Sequence, residues 1–132
     1  MNPITRLREN PRRAAVALGY ALGVFAASVA PTPPGSLAPM GPLGVVGLDK
    51  WVHAAGYAGL GFAFASAVRA RGRDEVAAAA LAAGAFGAGI EVVQAVLPYR
   101  SFGVADAGAN LAGAVLGGVV WVAAVRVADA RG

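Results

Sequence analysis

The sequence has no cysteine, a single histidine and little charge, and each shortage removes a class of protein. Without cysteine there is neither a disulfide framework nor a thiolate metal site. One histidine is a thin supply for phosphoryl-transfer chemistry. Charged residues make up only 14% of 132, too few to clothe a soluble domain of this length. The net charge of +4 would suggest nucleic acid if the arginines formed one surface. They fall instead in short clusters beside apolar segments, which is the pattern of membrane topology signals. No internal repeat of useful length is visible, so the inverted-repeat signature of many carriers is missing. No metal, cofactor or nucleic-acid partner is expected.

What the chain does have is apolar length. It is 58% hydrophobic, with a mean hydropathy of +0.62. A transmembrane helix needs about 20 mostly apolar residues, and four segments come close: 14–30, 51–68, 76–97 and 107–125. Pro31 stops the first, Arg69 the second, Pro98 the third and Arg126 the fourth. The first resembles a signal peptide at Ser28-Val29-Ala30, but its apolar run exceeds the usual length and it reads as a retained span. The fold expected is therefore all-α, an integral membrane four-helix bundle in the cell membrane. It divides into a basic N-terminus (1–13), a membrane domain (14–126) and a tail (127–132).

The basic residues give an orientation. Nine of eleven lie at the N-terminus, in the 69–73 loop or at the C-terminus; only Lys50 and Arg100 lie in the other two loops. Both termini and the 69–73 loop are thus expected to be cytoplasmic. Asp74 and Glu75 open the third span, where carboxylates favour a helix N-terminus. Small residues four apart, Gly19 with Gly23, Gly113 with Gly117, and Ala80, Gly84 and Ala88, suggest faces for close helix packing. The uncharged, proline-rich stretch 31–48 reads as a stiff connector.

Polar side chains gather at the extracytoplasmic ends of three spans. Asp49, His53 and Tyr57 share a helix face at i, i+4, i+8, with Lys50 beside them. Glu91 and Gln94 are i, i+3 on the third span, and Asp106, Asn110 and Gly113 form a stripe on the fourth. At ~1.5 Å rise per residue, Glu91 lies roughly 9 Å below Leu97, and His53 and Asn110 roughly 6 Å inside their helix starts. Ionisable groups within a membrane are expensive and default to a function, so these stripes are expected to face inward. Glu91 with Arg100 or His53, and Asp106 with Lys50 or Arg100, are the expected pairs. The bland readings are that Asp49 and Asp106 cap helices, that Lys50 snorkels, and that Gln94 and Asn110 are interhelical glue.

These residues carry a resemblance. D-K-x-x-H-x-x-x-Y at 49–57, E-x-x-Q at 91–94 and R-x5-D-x3-N-x2-G at 100–113 resemble the motifs of the VanZ-like family of small bacterial and archaeal membrane proteins. The resemblance implies the four-span fold, a polar site and a loose link to the cell envelope; the family is named for an accessory protein linked to teicoplanin resistance. It implies no reaction. Three uses of the site then compete beside a purely structural polar network. A binder would hold an amphiphile or lipid head group with Asp49, Lys50, His53, Glu91, Gln94, Arg100, Asp106 and Asn110. A hydrolase of lipid-linked phosphates would use His53, Glu91 and Asp106 as catalytic groups, or as ligands of a hard cation. A proton-coupled carrier would use Glu91 and His53 as a relay.

Overall fold

A computed structural model describes residues 2–31, 40–45, 47–99 and 103–132. The described residues form five α-helices and no strand: α1 (Pro3–Glu9), α2 (Pro11–Val29), α3 (Leu48–Ala67), α4 (Arg73–Ala95) and α5 (Val104–Arg131). A 3-10 turn at Pro42–Gly44 precedes α3 and is closed by one antiparallel bridge from Met40 to Gly47.

The elements begin and end where the local chemistry requires. The Asn2 side chain accepts the Ile4 N–H at 3.0 Å and caps α1. Pro11 then bars Asn10 from helical geometry while serving as the first residue of α2. The basic N-terminus is therefore helical, and α2 starts inside it. Pro31 ends α2 at Val29 in the same way. Between α3 and α4 the chain turns within five residues, 68–72. The Ala70 N–H reaches back to the Ala65 carbonyl at 2.8 Å, and Arg69 takes the left-handed conformation at φ 52° that glycine usually occupies. Glu75 accepts the N–H groups of Arg71 (2.6 Å) and Gly72 (3.3 Å), which satisfies orphan donors at the start of α4. Arg6 clamps this turn from α1, pairing with Glu75 at 2.5 Å and donating to the Val68 carbonyl at 3.1 Å. At the same end, α5 runs on through Arg126 to Arg131, so residues 127–131 are helical.

Three helices, α2, α4 and α5, are long and apolar enough to cross a membrane. The expected second span, α3, has the length but falls short in apolar character, because Asp49, Lys50 and His53 occupy its first two turns. Its position explains why it tolerates them: α3 packs against α2, α4 and α5.

The core is made of alanine. Among the described residues Leu60 is the one large side chain fully buried, and Ala21, Ala80, Ala83 and Ala114 surround it with Tyr57. Side chains this small let backbones touch. Gly113 and Gly117 of α5 lie against the carbonyls of Ala54 and Ala58 on α3, and Gly61 of α3 lies against the Ala114 carbonyl. A β-carbon at any of the three would collide with backbone, so close approach is what these glycines provide. The other small-residue stripes behave differently. Gly19 and Gly23 have nothing within 4 Å of where a β-carbon would stand, and Ala88 is exposed. Only Ala80 and Gly84 of the third stripe face a neighbour, Gly84 meeting Leu111 at ordinary contact distance.

Candidate functional site

The starts of α3 and α5 and the end of α4 come together at the end of the bundle opposite the arginine clusters. The 3.6-residue periodicity puts each polar stripe on one helix face, and packing turns Glu91, Gln94 and Asn110 inward, where they are buried. The Gly113 contact draws α5 onto α3 one turn below Asn110. There the Asn110 amide oxygen lies 3.1 Å from His53 Nδ1. One turn nearer the surface, Lys50 Nζ pairs with Asp106 at 2.8 Å and also with its neighbour Asp49. Lys50, in the first turn of α3, thus clamps the carboxylates of Asp106 and Asp49 across α3 and α5.

Neither aspartate caps its helix. Gly47 and Gly103 occupy the N-cap positions of α3 and α5, and the aspartates sit within the first turns. Their carboxylates fold back beside those glycines, Asp49 against Gly47 and Asp106 Oδ2 near Gly103. The capping reading is therefore not met, although a negative charge in the first turn complements the helix dipole. A glycine at the cap leaves room for the carboxylate that a larger residue would displace.

Glu91 enters from α4. Only 7% of its surface is exposed, and its Oε2 is buried with no hydrogen-bond partner among the described residues. It interacts electrostatically with Asp106, His53 and Tyr57. The expected Glu91–His53 ion pair does not form. The Tyr57 ring lies across Gly87, one turn below Glu91, and forms the floor of this region. Arg100, the other expected partner of Glu91 and Asp106, lies outside the described residues.

Gln94 has a different commitment. Its amide donates to the Ser28 carbonyl at the end of α2 at 2.7 Å, and the Tyr99 hydroxyl donates to the Val29 carbonyl at 3.0 Å. These two bonds tie the end of α4 to α2, filling the glue role of interhelical amides. No sequence signal points to them, because the acceptors are main-chain carbonyls freed by the Pro31 stop. Trp51 is half exposed and supports the 40–45 turn, with Gly41 directly against its indole.

Chemically, the described residues offer more acceptors than donors. Lys50 is neutralised, Asn110 is paired with His53, and Glu91 Oε2 is left over. Among the described residues no three histidine or acidic side chains are grouped to hold a metal ion. The hard-cation variant of the hydrolase reading therefore has no ligand set in these residues. Comparison of the chain with protein-family models, curated proteins and solved structures returns no match.

Proposed function

We propose that the chain is a four-span membrane protein of VanZ-like type whose polar cluster faces outward and binds the head group of an envelope amphiphile. The apolar α2, α4 and α5 and the central α3 supply four crossings, and the nine-to-two asymmetry of basic residues supports cytoplasmic termini. The observation that carries the reading is Glu91. A buried polar oxygen without a partner costs about 1–3 kcal/mol, and a network built only for stability has no reason to keep one. A ligand donor would satisfy it.

The charge balance narrows the ligand. Lys50 is held by two carboxylates and is a poor receptor for an anionic head group. Among the described residues the acceptor left without a partner is Glu91 Oε2, flanked by Asp106, whose Oδ1 meets only the Lys50 ion pair, and by the paired His53 and Asn110. That arrangement favours hydroxyl or ammonium donors, so the amphiphile is a glycolipid-like or amine-bearing molecule. The resemblance links it to the cell envelope and goes no further; a role in glycopeptide resistance is not part of the proposal. Mass-spectrometric identification of lipids retained by the purified protein tests it. Wild type should carry a hydroxyl- or amine-rich amphiphile that Glu91→Leu releases. An identical lipid profile in both proteins would sink the proposal.

A further inference from the structure

At the opposite end of the bundle, a second feature calls for an occupant. A cavity of about 400 Å3 lies between α4 and α5. On α4 it is lined by Arg73, Val76 and Ala80, and on α5 by Arg126, Val122, Val119 and Val115. Each set keeps helical spacing, so each forms one continuous face: an arginine at the tip, then aliphatic residues descending from it. Val115 and Val119 are 44% and 51% exposed, so no part of the described chain fills the groove.

Two further observations concern the arginines. Arg6, Arg13 and Arg71 at this end are each engaged, with Glu75, Ser66 and Asp129. Among the described residues neither Arg73 nor Arg126 makes a side-chain hydrogen bond or ion pair. Arg73 is also the first residue of α4, where the helix dipole disfavours a cation. Two free guanidinium groups therefore lie at the mouth of an aliphatic groove on two membrane-crossing helices. From Arg126 to Val115 the groove runs roughly 16 Å at ~1.5 Å per residue, about half of a ~30 Å hydrocarbon core. It is one leaflet deep.

We infer that this groove is a site for an anionic phospholipid, with the phosphate gripped by Arg73 and Arg126 and one acyl chain laid along Val122, Val119 and Val115. Guanidinium groups match phosphate oxygens in charge and geometry, and the groove matches a leaflet in length and polarity. The site is separate from the polar cluster and does not depend on it.

The test uses the full chain purified in detergent and titrated with phosphatidylglycerol, phosphatidylcholine of the same chains, or inorganic phosphate, with bound lipid read by native mass spectrometry. Phosphatidylglycerol should bind at least tenfold more tightly than phosphatidylcholine, and inorganic phosphate should neither bind nor compete at equal concentration. The double change Arg73→Ala with Arg126→Ala should erase the preference. Val119→Trp, which plugs the groove and leaves both arginines, should weaken phosphatidylglycerol binding by a similar factor and decides the matter if the double variant does not fold. Equal binding of both lipids, competition by free phosphate, retained preference in a folded double variant, or undiminished phosphatidylglycerol binding by Val119→Trp would each overturn the inference.

Discussion

Replacing Gly113 by alanine links helix packing to the polar site in one step. A β-carbon there would stand 2.9 Å from the Ala54 carbonyl carbon and 3.0 Å from its Cα, closer still to the oxygen. Carbon atoms prefer about 3.5–4.0 Å, so α5 must retreat from α3 by roughly 0.5–1 Å. Overpacking of this kind costs about 1–3 kcal/mol, while alanine gains up to ~1 kcal/mol of helix propensity over glycine. The net loss is about 1–2 kcal/mol. The retreat also reaches Asn110, one turn away, and stretches its 3.1 Å contact with His53 beyond hydrogen-bonding distance. Gly19→Ala is the control, because nothing lies within 4 Å of that site and only the propensity gain applies. Thermal unfolding in detergent should show Gly113→Ala melting several degrees below wild type and Gly19→Ala at or above it. The His53 ring signals in NMR should move in the first variant only. Equal stability of the two variants would refute the α3–α5 contact on which the site's geometry rests.

Other expectations follow from single contacts. Arg69 holds a left-handed conformation that costs a non-glycine residue about 1–2 kcal/mol, which outweighs the ~0.4–1 kcal/mol of unfolded-chain entropy that glycine adds, so Arg69→Gly should stabilise the protein by about 1 kcal/mol or less in unfolding experiments. A double-mutant cycle of Lys50→Met and Asp106→Asn should return a coupling of about 1 kcal/mol, reflecting a partly buried pair; zero coupling would mean that the clamp does not hold α3 to α5. A periplasm-active reporter fused at residue 40 should be active and one at residue 72 silent. The reverse pattern would place the polar cluster on the cytoplasmic side.

The sequence carries the polar cluster plainly because helical periodicity fixes which residues share a face. Asp49 with His53, and Asp106 with Asn110, had to lie on single stripes once their helices formed, and the structure pairs those stripes across α3 and α5 as Lys50–Asp106 and His53–Asn110. Partner identity is another matter. Gly19–Gly23 and Gly113–Gly117 have the same spacing, yet only the second pair meets another backbone, because spacing defines a face and not what covers it. Gln94 belonged to the right stripe and still turned to α2, since its acceptor is a main-chain carbonyl that sequence does not display. The weaker apolar character of α3 has the opposite lesson. Composition alone demotes it as a span, whereas its contacts with three other helices explain how it carries Asp49, Lys50 and His53. The helical state of residues 3–9 was hidden for a third reason, since charge clusters advertise topology more strongly than structure.

The central claim is that Glu91 is kept for a ligand at the expense of stability, and Glu91→Leu measures it most directly. The substitution removes a buried oxygen that has no partner among the described residues and leaves a side chain of similar size. Measured on delipidated protein, thermal stability should rise, by about 1–3 kcal/mol in unfolding free energy, while the amphiphile carried by wild type is no longer retained. A Glu91→Leu protein that is less stable than wild type and keeps the same lipids would contradict the account and make Glu91 a structural residue.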